Sequence, residues 1–201
     1  QGVKGMSAFL VEAGTPGLST GNHENKMGIR TSNTCDVVFE DCRIPASALM
    51  GAEGEGYKIA MKTLDMSRTW VGIAQRAIDE AVAYGKQRIT FGKPILKNQG
   101  LQFMIADMEI RVETARQMVA HALKLMDAGL PYSRESAIAK CYAGDIAVQN
   151  ALDAIQILGG YGYSREYPVE KLLRDAKIFQ IYEGTNQIQR MVIGKSVIGK
   201  F

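Results

Sequence analysis

Residues 181–190 of this chain read Ile-Tyr-Glu-Gly-Thr-Asn-Gln-Ile-Gln-Arg, a turn that leads into a helix. Gly184 allows the backbone to turn sharply and to approach a ligand closely. Thr185 is a favoured helix N-cap, so the last helix is predicted to begin near Thr185 and to reach the C-terminus. Glu183 therefore lies on a turn, directly after two apolar side chains.

Upstream of this turn, apolar residues recur with the period of a helix. The longest stripe predicts one helix that ends at the Gly129-Leu130-Pro131 stop signal. Its members are Leu101, Met104, Met108, Val112, Ala115, Val119, Ala122 and Met126.

The next helix is predicted to begin near Ser133 and to end at Gly159-Gly160. Its apolar face is expected to contain Ile138, Cys141, Val148, Leu152 and Ile155. Pro168 suits the first turn of a further helical segment that runs to about Gln180. Long helices with short links predict an antiparallel helical bundle.

The first fifty residues differ from the rest because they contain strand-like runs bounded by turn signals. Residues 6–12 and 35–41 are the two strand candidates. Two or three strands cannot form a stable sheet alone, so this segment is predicted to be part of a β-domain. The expected division is a partial β-domain over residues 1–50 and a helical bundle over residues 51–201.

Composition narrows the function classes. The 201 residues carry a net charge of +3 without a basic block, which gives no indication of nucleic-acid binding. No apolar run approaches the ~20 residues that a membrane-spanning helix needs. Three cysteines without a CxxC pair, and two histidines, predict neither a disulfide framework nor a metal site.

Three segments together resemble the C-terminal signature of the acyl-CoA dehydrogenases, flavoenzymes that desaturate acyl thioesters. They are residues 156–163, 174–177 and 181–190. The resemblance implies a mainly α fold, a C-terminal antiparallel four-helix bundle of the acyl-CoA dehydrogenase type preceded by a partial β-domain. It also implies a short- or medium-chain acyl-CoA substrate, FAD as cofactor, an electron-transfer flavoprotein as partner, and a homotetramer or dimer. The implied location is the bacterial cytoplasm or the mitochondrial matrix, without membrane insertion.

In this family the carboxylate of the Tyr-Glu-Gly-Thr segment removes the α-proton of the substrate, which assigns the catalytic base to Glu183. The main-chain N–H of Glu183 is expected to polarise the thioester carbonyl as half of an oxyanion hole. Taken alone, Glu183 is more readily interpreted as a cap of the helix that follows, and it is the full motif that favours the base. The implied substrate-binding residues are Asp65, Ser67, Arg68, Tyr182 and Gly184.

The resemblance also implies three groups of FAD-binding residues, two of which meet the FAD of a neighbouring subunit in the family. The two cross-subunit groups are Arg88, Thr90, Phe91 and Gln99, and Gln156, Leu158, Gly159 and Gly160. The third group is Thr185, Asn186 and Gln187, at a helix N-terminus that attracts anions. Each group also has a plain reading, as a surface cation, a helix stop or an N-cap.

Two departures from the family pattern give rise to further expectations. The chain is expected to begin midway through the β-domain, so it offers only part of a site. The segment after Arg68 is about five residues short, or ~140° of helical phase, which predicts a helix break near Gly72. Trp70 is expected in the core. The rival interpretations are a flavin-free bundle that serves only in oligomerisation and, among enzymes, an acyl-CoA oxidase.

Overall fold

The computed structural model describes residues 2–66 and 71–199, without the side chains of residues 65 and 66. Contacts between residues divide the chain into two compact units, Gln1–Met66 and Ser67–Phe201. The predicted domain boundary between residues 50 and 51 stays a prediction.

The first unit contains two short antiparallel strand pairs and one helix. Its elements are β1 (Ala8–Phe9), β2 (Leu18–Thr20), β3 (Val37–Phe39), β4 (Leu49–Met50) and α1 (Gly56–Met66). β1 pairs with β4, and β2 pairs with β3. β1 and β3 lie inside the two predicted strand segments. No hydrophobic side chain described in this unit is fully buried.

The second unit is helical apart from one hairpin. It comprises α2 (Gly72–Gln87), β5 (Ile89–Thr90), β6 (Lys93–Pro94), α3 (Gln99–Asp127), α4 (Ser133–Leu158), α5 (Val169–Ala176) and α6 (Asn186–Ile198). A 3₁₀ turn, Lys177–Gln180, joins α5 to the segment before α6. The mainly α fold class is therefore confirmed.

The end of α3 shows how local sequence fixes an element boundary. Gly129 has a φ of +68°, which is the left-handed conformation that glycine adopts freely. Its N–H donates to the carbonyl of Met126 at 3.0 Å, and the N–H of Leu130 donates to that of Leu125 at 2.9 Å. This is the Schellman pattern, and it ends the helix where the Gly-Leu-Pro signal predicts.

The apolar face predicted for α4 is right in part, because Cys141 is buried and Val148 and Ile155 pack against the core, but it is wrong at Leu152. Leu152 is 44% exposed, whereas the fully buried positions of α4 are mainly alanines. They include Ala137, Ala143, Ala147, Ala151 and Ala154. The physical reason is that α4 packs against α2, α3, α5 and α6 at once. Small side chains let these neighbours approach closely on several sides, and a search for large apolar residues overlooks them.

The predicted helix break falls partly outside the described residues. α1 ends at Met66, and α2 begins at Gly72 with Val71 as its N-cap. Residues 67–70, including Trp70, are not described, so the path of the chain between the two helices stays a prediction.

One buried amide connects three helices of the bundle. Asn150 in α4 is fully buried, and its Nδ2 donates to the carbonyl oxygens of Met108 in α3 at 3.1 Å and of Ala74 in α2 at 3.4 Å. Buried polar groups stabilise a fold when they are paired, and here the pairing also fixes how the three helices meet.

Replacing Asn150 by leucine tests this connection. The side chain keeps about the same volume but loses both donated hydrogen bonds, so Asn150→Leu is expected to lower the free energy of unfolding by about 1–2 kcal/mol. Urea denaturation at an unchanged m-value measures the loss. An unchanged midpoint would show that the amide contributes nothing to the packing of α2, α3 and α4.

Candidate active site

The segment around Glu183 forms a left-handed turn immediately before α6. Glu183 has a φ of +55° and Gly184 a φ of +81°. Glycine adopts this conformation freely, but a glutamate does so at an energetic cost. Positive φ at a non-glycine residue persists only where surrounding contacts impose it, and it is concentrated at functional sites.

Two buried side chains contact the carbonyl oxygens of this turn. Nε2 of Gln189, in α6, donates to the carbonyl oxygens of Glu183 and Gly184, both at 3.2 Å. Nζ of Lys140, in α4, donates to the carbonyl oxygen of Gly184 at 2.7 Å. Lys140 is fully buried, and Gln189 is almost fully buried. The turn is therefore fixed from two helices at once.

The residues after the turn begin α6. Oγ1 of Thr185 accepts a hydrogen bond from the N–H of Ile188 at 3.2 Å, which makes Thr185 the N-cap that the sequence predicts. Asn186 is buried, and its Nδ2 donates to the carbonyl oxygen of Cys141 and to Oδ1 of Asp145. These bonds occupy the Asn186 side chain inside the protein. The expected contacts of Thr185, Asn186 and Gln187 with FAD stay predictions.

The side-chain carboxylate of Glu183 differs from its main chain in hydrogen bonding. Its Oε2 is buried, and it accepts no hydrogen bond from residues 2–66 or 71–199. An ionised carboxylate oxygen ordinarily accepts hydrogen bonds, and a buried one without a donor is rare. Within the described residues, this oxygen is therefore not committed to a structural hydrogen bond.

An aromatic pair lies beside Glu183. The ring of Tyr182 stacks on that of Phe179, with 6.0 Å between centroids and 21° between planes. Burial, and secondarily the charge of Glu183, raises the pKa of Tyr182 to about 12. The phenol therefore stays protonated at neutral pH, so the half-buried ring of Tyr182 adds no charge beside Glu183.

A groove of about 650 Å³ brings together two segments that are about 70 residues apart in sequence. Five of the predicted cofactor-binding residues line it. They are Arg88, Thr90, Leu158, Gly159 and Gly160. The remaining lining residues, which the sequence did not suggest, are Tyr84, Ile95, Ile157, Tyr161, Ser164 and Glu166.

Gly159 and Gly160 leave open space in the groove. Gly159 has a φ of +61° and ends α4, whereas Gly160 needs no left-handed conformation. A methyl group added at either glycine would meet no heavy atom within 4 Å. Across the groove, the guanidinium carbon of Arg88 lies 5.8 Å from the centre of the Tyr161 ring, a cation–π contact that orients the charge. An anionic ligand could approach both the open backbone and this cation.

The hairpin beside the groove has an unusual tip. Phe91 and Gly92 join β5 to β6 with φ values of +49° and +75°, the signs of a type I′ turn. Phe91 is fully exposed and does not line the groove. Gln99 and Gln156 are also exposed and lie outside the lining. Their predicted cofactor contacts, like that of Phe91, stay predictions.

The predicted substrate element around Asp65 is only partly described. Asp65 lies in α1, but its side chain is not described, and Ser67 and Arg68 fall outside the described residues. Lys140 and Gln189 contact the Glu183 turn but were not predicted from the sequence. The signal for Lys140 was present, because a charged residue stands among the small residues that α4 buries.

The Glu183 turn and the groove lie at opposite ends of α4. Lys140 contacts the turn, and Leu158 lines the groove. Eighteen residues of one helix separate them, which corresponds to ~27 Å. Within the described ranges, no cluster of potential ligands could bind a metal ion, and no helix is long and apolar enough to cross a membrane.

Comparisons with known proteins give one consistent family. The pattern of the acyl-CoA dehydrogenase C-terminal domain matches residues 54–198. An acyl-CoA dehydrogenase of Bacillus subtilis is 50% identical over 204 residues, which cover 99% of this chain and 54% of that protein. The chain thus spans about half the length of the curated relatives it matches.

Two solved structures are similar throughout the chain. Butyryl-CoA dehydrogenase from Megasphaera elsdenii is 48% identical, with a TM-score of 0.97 over 99% of this chain and 53% of that one. A chain from a structure described as electron transferring flavoprotein of Acidaminococcus fermentans is 50% identical, with a TM-score of 0.97 over 99% of this chain and 54% of that one.

The left-handed conformation of Phe91 predicts that a substitution at this position can stabilise the protein. Phe91→Asn places at φ +49° a residue that tolerates the left-handed conformation, and the exposed ring loses no packing. We expect the free energy of unfolding to rise by about 1 kcal/mol, as measured by thermal or urea unfolding without added ligand. Phe103→Asn is the matched control, because Phe103 is also exposed but lies within α3, where no such strain is relieved. A lower midpoint for Phe91→Asn would contradict the prediction.

Proposed function

This chain belongs to the acyl-CoA dehydrogenase family, and we propose that it takes part in the α,β-dehydrogenation of a short- or medium-chain acyl-CoA to the trans-2-enoyl-CoA. Glu183 is the proposed base, and the observation that carries this proposal is its buried Oε2, which accepts no hydrogen bond from the described residues. The butyryl-CoA dehydrogenase similarity favours the short-chain end of the range.

The reaction breaks two C–H bonds of the acyl chain. The carboxylate of Glu183 removes the α-proton, and the hydrogen at the β-carbon leaves as hydride. FAD, when bound, supplies the hydride acceptor. A carboxylate suits the first step only if it is held near the α-carbon in a site from which water is excluded. The stacked pair of Phe179 and Tyr182 contributes the apolar surface that such a site needs.

The main chain of the same turn has a proposed role in polarising the thioester. No backbone carbonyl among the described residues accepts a hydrogen bond from the N–H of Glu183. A fixed donor of this kind stabilises the negative charge that develops on the thioester oxygen as the α-proton leaves. The proposed substrate contacts of Tyr182 and Gly184 lie beside it, whereas those of Asp65, Ser67 and Arg68 stay proposals from the family resemblance.

The residues of the groove fit part of an FAD molecule. Arg88 suits the pyrophosphate, Gly159 and Gly160 allow close approach of the backbone, and the exposed ring of Phe91 is suited to stacking on an adenine. The open space above both glycines supports this assignment. Thr90, Gln99, Gln156 and Leu158 complete the proposed set.

The length of α4 supports a homo-oligomer. The proposed FAD contacts of Thr185, Asn186 and Gln187 lie at one end of α4 and those of the groove at the other, ~27 Å away along the helix. We infer that the two sets contact different FAD molecules, as they would if each site were shared between subunits of a dimer or tetramer. The similarity to a chain from an electron transferring flavoprotein structure favours that class of protein as the redox partner.

The base assignment is tested with Glu183→Gln in the flavin-loaded protein. The replacement keeps the shape of the side chain but cannot accept the α-proton. We expect loss of α-proton exchange with solvent deuterium, and loss of flavin bleaching on addition of butyryl-CoA without an acceptor, with unchanged flavin content. Glu109→Gln, at an exposed carboxylate of α3, is the matched control. Substantial exchange in Glu183→Gln would refute the base, and a protein that takes up no FAD would favour the flavin-free module.

The groove assignment is tested with Gly160→Ala. The methyl group fits this chain without a clash, so folding should be unchanged, but it occupies space that the cofactor would need. We expect FAD affinity to fall about tenfold, since overfilling a packed contact costs on the order of 1–3 kcal/mol. Gly194→Ala, equally free of neighbours but in α6, should bind FAD normally. If flavin titration gave the two variants equal affinity, FAD would not be the ligand of this groove.

A further inference from the structure

We propose that Lys140 and Gln189 are positioning residues for Glu183, a role that rests on the proposed function of Glu183 as base. Both side chains are buried, and both donate hydrogen bonds to the carbonyl oxygens of the Glu183–Gly184 turn. They touch the main chain of the turn rather than the reacting atoms. Their effect on the reaction therefore passes through the conformation of the backbone.

Gln189 fixes the two left-handed residues as a unit. Its Nε2 bridges two successive carbonyl oxygens, those of Glu183 and Gly184, so both oxygens must lie on the same side of the chain. A methyl group added at Gly184 would come within 2.7 Å of this Nε2. The glycine and the amide are thus matched in shape, and the amide occupies the space that a side chain at residue 184 would fill.

Lys140 anchors the same turn to α4. A buried ammonium group is costly unless its donors are satisfied, and here Nζ donates to the carbonyl oxygen of Gly184 at 2.7 Å and to Oδ1 of Asn186 at 2.9 Å. A neutral residue would fill this space at lower cost. The charge is retained where two acceptors from the segment after Glu183 converge on it.

The orientation of the Asn186 amide follows from its other partners. Asp145 accepts at Oδ1 from Nδ2 of Asn186 at 2.7 Å and from Nε2 of Gln180 at 2.8 Å, and at Oδ2 from Arg190 at 2.7 Å. A carboxylate only accepts, so the amide nitrogen of Asn186 must face Asp145. The amide oxygen of Asn186 therefore faces Lys140, which fixes the position of the ammonium group.

This arrangement fixes the direction of two N–H groups of the turn. In a trans peptide the N–H points opposite to the C=O. Because the carbonyl oxygens of Glu183 and Gly184 face Gln189 and Lys140, the N–H groups of Gly184 and Thr185 face away from them. Hydrogen bonds donated to a carbonyl also polarise the N–H of the same peptide, which strengthens it as a donor.

The variants Lys140→Met and Gln189→Met test the inference, because methionine approximates the length of both side chains and donates no hydrogen bond. In the flavin-loaded protein we expect the rate of α-proton exchange of butyryl-CoA to fall by up to about 100-fold, the effect of a misplaced catalytic group. The KM for butyryl-CoA and the flavin content should change by less than about twofold, because the substrate contacts themselves remain.

The control is Asn150→Leu, which removes another buried polar side chain from α4 without touching the Glu183 turn. A loss of exchange in Gln189→Met that Asn150→Leu does not share supports the inference, even if Lys140→Met fails to fold. The inference is overturned, with Glu183 still the base, if Lys140→Met and Gln189→Met exchange the α-proton as fast as Asn150→Leu does. Glu183→Gln is measured in the same series to distinguish failure of the positioning role from failure of the base assignment. Exchange that survives in Glu183→Gln would show that Glu183 is not the base.

Discussion

The hydrogen bond from the buried ammonium of Lys140 to the carbonyl oxygen of Gly184 is the interaction on which the proposed site depends. It connects α4, which packs against four other helices, to a turn that a glutamate adopts only at an energetic cost. A charge without access to water must be paired, so the turn and the helix constrain each other. Oε2 of Glu183 accepts no hydrogen bond from the described residues, whereas the carbonyl oxygens of the same turn are held by Lys140 and Gln189.

The second constraint is the alanine-rich surface of α4. Small residues let α2, α3, α5 and α6 pack against one helix, so this helix contacts both the Glu183 turn and the groove. Two polar residues buried on α4 then have a positional role. Asn150 connects α4 to α2 and α3, and Lys140 connects it to the segment before α6. The bundle is thus organised around a helix whose fully buried positions are mainly alanines.

Local signals predicted most of the helical unit, because caps and stops act over a few residues. The Gly129 stop, the start of α4 at Ser133, the Gly159 stop and the Thr185 cap all lie where the sequence places them. The face of α4 was predicted only in part, because alanine carries little weight in an apolar pattern. Lys140 and Gln189 were missed for a different reason. Lys140 contacts a residue 44 positions away, and no periodicity in the sequence encodes such a pairing.

The rigid distance along α4 has a consequence for how this protein can change over evolution. Inserting or deleting one residue between Lys140 and Leu158 would rotate one end of the helix by ~100° relative to the other and shift it by ~1.5 Å. The anchor of the Glu183 turn and the rim of the groove would then lose their mutual register. We therefore expect changes in chain length to be tolerated in the connections, such as the one between α3 and α4, rather than within this part of α4.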